Sequence, residues 1–242
     1  MHFRAIPLAA AAALSLSLPT GAVELRTEPK AVLELFTSQG CSSCPNADAL
    51  LAELGKRDDL ITLAYHVDYW DYIGWDETFG TKENSDYQRA YADSWGDSKI
   101  YTPQMVINGL EGVVGSHEDE ITAAIAATSL NLPMTLTTDA GMLDLSIAGR
   151  AGARPATVWL VTLIDRASVE IESGENAGKT IDYTQIVTGR HVLGMWEPVG
   201  GAHLKLPLAD LVPEGSNGAV ILVQEERDGL PGAIVAAASV QL

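Results

Sequence analysis

Ala31-Val32-Leu33-Glu34-Leu35-Phe36-Thr37-Ser38-Gln39-Gly40-Cys41-Ser42-Ser43-Cys44-Pro45 is the stretch that decides the fold. Ala31–Phe36 is a mostly apolar run with strand character. Asn46–Leu54 then places Ala47, Leu50, Leu51 and Leu54 at the i, i+3, i+4, i+7 spacing of one helix face, stopped by Gly55. Between them stand the chain's two cysteines, in a C-x-x-C spacing. A disulfide here closes a very small loop and removes little entropy from the unfolded chain. A pair placed where it stabilises least is better explained by chemistry, and C-x-x-C near a βαβ pattern reads as a redox motif.

The strand, C-x-x-C, helix order puts Cys41 at or near a helix N-terminus. Free backbone N–H groups and the positive end of the helix dipole favour a thiolate there. Cys41, at the more exposed start, is expected to attack, and Cys44, one turn in, to resolve the mixed disulfide. Pro45 falls in the first turn, where its missing N–H costs little.

The N-terminus reads as an export signal. Arg4 precedes an apolar run from Ala5 to Leu18, and Pro19-Thr20-Gly21-Ala22 offers a small-residue cleavage site, so residues 1–22 are expected to be removed. The alternative is an uncleaved anchor. No other segment approaches the ~20 apolar residues of a membrane span. The expected product is soluble, periplasmic or secreted, and sits where a disulfide persists. The net charge of −17 becomes −18 without Arg4, which argues against nucleic acid as a partner.

Further along, Leu60–Val67 reads as a second strand. Gln104–Ile107 and Gly112–Val114 form a hairpin around Asn108-Gly109, and Glu118–Thr128 is a helix with Ser116 as its expected cap. After Asn131-Leu132-Pro133 the texture becomes strand-like: Met134–Thr138, Leu143–Ile147, Thr157–Ile164, Ser168–Glu172, Ala219–Glu225 and Ile234–Val240. The predicted organisation is therefore an α/β domain over 23–131 and an all-β, sandwich-like domain over 132–242. Gly174-Glu175-Asn176-Ala177-Gly178-Lys179-Thr180 imitates a phosphate loop, but its glycines are one residue too close and a strand pattern follows. It is read as a surface turn.

Sixty residues after the cysteines, Thr102-Pro103 opens a strand, a place where proline is tolerated and a cis bond would be a deliberate feature. The order of strand, C-x-x-C, helix, strand, Thr-Pro, hairpin and helix resembles the thioredoxin superfamily. That resemblance implies a central mixed sheet flanked by helices, with a cis proline facing the cysteines and substrate pairing at the residue before it. It thus implies catalytic roles for Cys41 and Cys44 and substrate binding for Thr102 and Pro103. Leu33–Pro45, with His66-Val67-Asp68-Tyr69-Trp70-Asp71 and Gly174–Gly178, is similar to a secreted thioredoxin-like family known only as domain of unknown function 1223. That family supplies a fold and no activity. The chain departs from thioredoxins at Leu35, where they carry a buried Asp. Glu34 is one residue out of step, on the opposite face, and is read as a paired structural carboxylate.

If the strands holding Glu34 and Ala64 are parallel, His66, Asp68 and Trp70 emerge beside Cys41, where they are candidate modulators of the thiolate. The competing reading of His66 is a strand-end histidine bonded to backbone. Ten of the fifteen aromatics, from Tyr65 to Tyr101, fall in a ring-rich insertion before Pro103, either its own small core or a wall over the cysteines. The expected function is thiol–disulfide exchange with protein thiols or disulfides and an unidentified redox partner, without cofactor or metal. The alternatives are a non-catalytic thioredoxin-like binding module, or a Cu(I)- or Zn(II)-handling protein using Cys41, Cys44 and His66.

Overall fold

The computed structural model describes residues 23–241, so the expected export signal, residues 1–22, lies outside it. Nine strands form one mixed sheet, and three more form a second. At the centre of the large sheet, β2 (Ala31–Thr37) runs parallel to β3 (Leu60–His66), and both are buried along their whole length. Burial on both faces explains why these strands read as continuous apolar runs rather than alternating ones. The helix between them, α1 (Pro45–Leu54), lays Ala47, Leu51 and Leu54 on Leu33, Leu35 and Ala64. Beyond β2 follow β4 (Gln104–Ile107) and β5 (Glu111–Val114), an antiparallel hairpin turning at Asn108 and Gly109, both with positive φ. The Asn108 side chain also ties this turn to β2, accepting the Val32 N–H at 2.7 Å.

The second helix, α2 (Lys82–Trp95), is capped by Thr81, whose side chain accepts the Asn84 N–H. It covers the face opposite α1, where Tyr91 packs with Phe36 and Tyr65. The third, α3 (Glu118–Ala127), starts at His117 rather than after a Ser116 cap, and His117 makes no side-chain cap bond. Its Ile121, Ala124 and Ile125 complete the α1 face.

The separate all-β domain expected after residue 131 is corrected. Only β6 (Met134–Asp139), β7 (Met142–Ile147) and β10 (Ala202–Pro207) leave to form the second sheet. The long hairpin of β8 (Ala156–Glu170) and β9 (Thr180–Trp196), then β11 (Gly218–Arg227) and β12 (Leu230–Gln241), extend the first sheet, and β1 (Glu24–Arg26) pairs on β12 at its far edge. The join is a parallel bridge between Ala64 of β3 and Ile186 of β9. The small sheet stacks on this extension, burying Leu136, Leu143 and Leu145 with Val158, Trp196 and Ile221, so sheet-on-sheet packing is present inside a shared fold. A one-turn helix, α4 (Leu208–Leu211), adds Leu211 to that core. Among the described residues no helix is long and apolar enough to cross a membrane.

One core is common to both halves: Val32, Phe36, Leu63 and Tyr65 pack with Val161, Leu163, Val220 and Leu222. A chain cut to residues 23–131 uncovers that face and the open edge of β3. Its expected behaviour is loss of cooperative unfolding in urea, with aggregation through the bared edge. A truncated chain giving a sharp two-state transition would show that the first half folds alone.

Candidate functional site

The cysteine loop follows β2 directly. The Cys41 N–H donates to the Ser38 C=O at 3.2 Å and the Cys44 N–H to the Cys41 C=O at 3.2 Å, so the segment already turns before the helix starts. Cys44 is the N-cap of α1, with Pro45 at its first position, and Cys41 stands one turn earlier. The two cysteines form a disulfide, their Cα atoms 5.4 Å apart. Ser42 and Ser43 are exposed, yet Cys41 and Cys44 are 1% and 0% exposed. The expectation that Cys41 is the open sulfur is therefore corrected for the oxidised protein.

Three segments pack around the cysteine loop and the start of α1. Thr102–Pro103 is a cis peptide, and the Cβ atoms of Pro103 and of Ala47 in α1 both lie within about 3.2 Å of where a Gly115 Cβ would stand. Trp70 donates its indole N–H to the Thr102 hydroxyl at 2.8 Å, and its Cβ stands 3.1 Å from where a Cβ on Gly40 would lie, so a side chain at residue 40 would have to push Trp70 aside by a few tenths of an ångström. Tyr72 stacks on Trp70 and is 81% exposed.

The third segment comes from the far half of the chain. β9 bends at Gln185, where φ is +53°, and packs beside α1. This carries the hairpin tip, residues 171–179, onto the cysteine loop. Asn176, fully buried, donates its amide to the Gln39 C=O at 2.8 Å and the Cys41 C=O at 2.9 Å. Glu175 accepts the Ser42 N–H at 3.2 Å, and the Ser173 hydroxyl donates to the Gly74 C=O. The expected surface turn is exposed at Glu175, Ala177, Gly178 and Lys179, yet through Asn176 it docks on the cysteine loop and roofs that loop's backbone.

Beneath the loop lies a buried polar cluster. Asp48, one turn past Cys44 on α1, accepts the Thr37 hydroxyl at 2.7 Å through Oδ1, while its Oδ2 has no partner. His66 Nδ1 lies 2.7 Å from Glu77 Oε1, and Glu77 Oε2 accepts from the Ser38 hydroxyl and the Gln39 N–H. The Tyr183 ring stands 4.9 Å from the His66 ring, and His66 Nε2 and the Tyr183 hydroxyl are likewise buried without partners. Burial pushes the Asp48 carboxyl up to about 7, opposed by the charge of His66 and the Thr37 hydroxyl and assisted by the charge of Glu77.

Since the folded value lies above the ordinary 3.8, this group's contribution to stability is complete below 3.8 and is lost as pH rises through about 7. Asp48→Asn keeps an acceptor for Thr37 and cannot ionise. Relative to wild type it is expected to gain about 1.4 kcal/mol per pH unit across that window. Urea unfolding between pH 4.5 and 7.5 checks this, and parallel curves for the two proteins would refute it.

Of the residues expected to modulate the thiolate, only Trp70 reaches the cysteine cover. His66 belongs to the buried cluster, held by Glu77 and not by backbone. Asp68 turns toward α2, where it accepts from the Ser85 hydroxyl. Glu34 lies on the opposite face, as its strand position requires, accepting from Tyr91 at 2.6 Å and Tyr87 at 3.1 Å. Burial raises its carboxyl above the usual range, with those bonds opposing. Of the insertion's rings, Tyr65 and Tyr91 are core, with Tyr87 and Trp70 packed against them, and Tyr72 stacks on Trp70 from outside. Among the described residues no three His, Cys, Asp or Glu side chains are placed to share a metal ion, so Cys41, Cys44 and His66 do not converge. Asp48, Glu77, Glu175 and Asn176 were not singled out as site residues by the sequence. The one signal was the glycine-flanked Glu175-Asn176 pair.

No curated protein matches this chain. A crystal structure of an Agrobacterium tumefaciens protein, solved as a structural-genomics target, is similar over 89% of this chain and 95% of that one, with 32% identity and a TM-score of 0.78. The family model described as "Protein of unknown function (DUF1223)" matches residues 32–224. With the strand, the cysteine loop, the parallel second strand and the roof loop all inside that span, the chain belongs to the DUF1223 family.

Proposed function

We propose that this protein is an exported thiol–disulfide oxidoreductase of thioredoxin-like design. The observation that carries the reading is the Cys41–Cys44 disulfide at the start of α1, with the ionisable, buried Asp48 one turn beyond the second sulfur. A small-loop disulfide contributes only about 2 kcal/mol through chain entropy, too little to explain so elaborate a cover. Helix-start N–H groups, by contrast, are what a thiolate needs.

In the oxidising direction a substrate thiolate attacks the Cys41 sulfur. A substrate–Cys41 bond forms, the Cys41–Cys44 bond breaks, and Cys44 leaves as a thiolate. Asp48, near half-protonated at neutral pH, is the buried acid that returns a proton to Cys44. A second substrate thiolate then attacks the substrate sulfur of the mixed disulfide and releases Cys41. Two electrons have passed from the substrate dithiol to the cysteine pair, and a partner dithiol–disulfide protein takes them away. The reverse sequence reduces a substrate disulfide. In this reading the polypeptide carrying the substrate sulfur docks at Thr102 and Pro103 and on the Trp70–Tyr72 stack, which is hydrogen-bonded to Thr102.

The test is equilibration of the purified protein in glutathione buffers, followed by turnover of a peptide dithiol. A pair that interconverts and turns over supports the reading. The burial of both sulfurs favours one second reading, a binding module whose disulfide only clasps the loop. A pair that stays oxidised in every native glutathione buffer would establish that module and end the enzyme reading.

A further inference from the structure

Of the groups that the hairpin tip brings to the disulfide, Glu175 is the one that carries charge against the cysteine loop. Its Oε2 accepts the Ser42 N–H at 3.2 Å, so a carboxylate sits on the first backbone donor after Cys41. The tip that presents it is fixed on several sides. Ser173 is tied to Gly74, and Asn176 to the carbonyls of Gln39 and Cys41. The turn closes on itself through the Gly178 N–H to the Ile171 C=O at 2.7 Å, and Lys179 donates to the Asn176 Oδ1 at 2.8 Å. The Ser42 hydroxyl and then its N–H hold the Glu175 carboxyl below its ordinary range, so it is charged at neutral pH.

We infer that Glu175 sets the redox poise of the cysteine pair, by holding a negative charge against the backbone of the cysteine loop, on the residue next to Cys41. The inference deepens the oxidoreductase reading and rests on it. Reduction of the disulfide takes two electrons and leaves two sulfurs, of which that of Cys41 belongs to the residue directly before Ser42, whose N–H holds the carboxylate. A carboxylate fixed on the neighbouring N–H repels a Cys41 thiolate. The reduced form is disfavoured, and the disulfide resists reduction.

Glu175→Gln removes the charge and keeps an oxygen to accept the Ser42 N–H. In glutathione buffers its equilibrium constant is expected to move about tenfold toward the reduced protein, equivalent to about 30 mV for a two-electron couple. Alkylation of the chemically reduced protein by neutral iodoacetamide gives a second readout. The rate–pH curve of Cys41 should shift to lower pH, with a rate at pH 6 about five- to tenfold above wild type. In 1 M salt the two proteins should converge, since the Debye length falls to about 3 Å. An unchanged equilibrium constant in a wild-type background that does equilibrate overturns the inference and leaves the enzyme reading intact. An equal rise in alkylation at every pH also overturns it, since that is the mark of a loosened roof. A wild-type pair that never exchanges with glutathione overturns the oxidoreductase reading, and the poise claim with it.

Discussion

Cys44→Ser is expected to stop turnover of a dithiol substrate and to leave Cys41 trapped in mixed disulfides, whereas Cys41→Ser is expected to stop turnover and trap nothing. Each loss should exceed about a thousandfold, because the reaction has no route that avoids the missing sulfur. Structural damage is a poor rival explanation, because opening so small a loop costs about 2 kcal/mol at most by the chain-entropy account. The asymmetry is the informative part. Cys41 precedes the helix cap, while Cys44 is the cap residue itself, with its carbonyl accepting from Ala47 and Asp48. Mass spectrometry of adducts recovered from each variant checks the assignment. Equal trapping by both variants would show that either sulfur can be attacked. Turnover surviving in either would remove the pair from the chemistry.

Local order was legible in the sequence wherever one residue type fixes one geometry. The strand before Cys41, the helix with its proline at the first position, and the hairpin at Asn108-Gly109 follow from spacing and turn chemistry. They appear within a residue or two of their predicted bounds. The placement of the second half was not legible, for two reasons. Residues 156–170 form a continuous strand, but its first half is buried and apolar while its second alternates buried and exposed, so the pattern reads as two strands. Its partner, β9, carries Gly189 and Gly194 and several half-exposed polar residues, and its last ten residues give no strand periodicity. The bridge from Ala64 to Ile186 spans more than a hundred residues, and no local pattern encodes it. Two expected separate domains therefore share one sheet.

The site divides the same way. Cys41, Cys44 and Pro103 announce themselves by type and spacing, whereas Asp48 does not. An acid in the first turn of a helix is normally a solvated partner for the dipole, and only the Thr37 hydroxyl, the His66–Glu77 pair and the Tyr183 ring around it make it a buried acid. Asn176 is hidden more deeply. Its neighbours Gly174 and Gly178, both with positive φ, mark a turn, and a turn is ordinarily exposed. What buries it is the hairpin length and the bend at Gln185, which are properties of the sheet.

Asn176→Ala should therefore have the second large effect: reduction of the Cys41–Cys44 disulfide by dithiothreitol is expected to speed up by at least about tenfold. The Gln39 C=O would be left without the amide that serves it, at about 1–3 kcal/mol, while the Cys41 C=O would keep only the Cys44 N–H, and each 1.4 kcal/mol is a tenfold change in the open population. With both sulfurs shielded in the closed form, the reagent's rate follows that population. Asn176→Asp should be at least as fast, since it turns an acceptor oxygen toward two carbonyl oxygens. The urea dependence separates local from global opening. Lifting a nine-residue tip exposes little surface, so the rate should be nearly flat in low urea, while a route through global unfolding would rise steeply. A steep dependence, or variants reduced no faster than wild type, would mean that the roof is not the gate. Reagents would then enter by the side of the exposed Tyr72, and the loss of Asn176 would be felt only as lower stability.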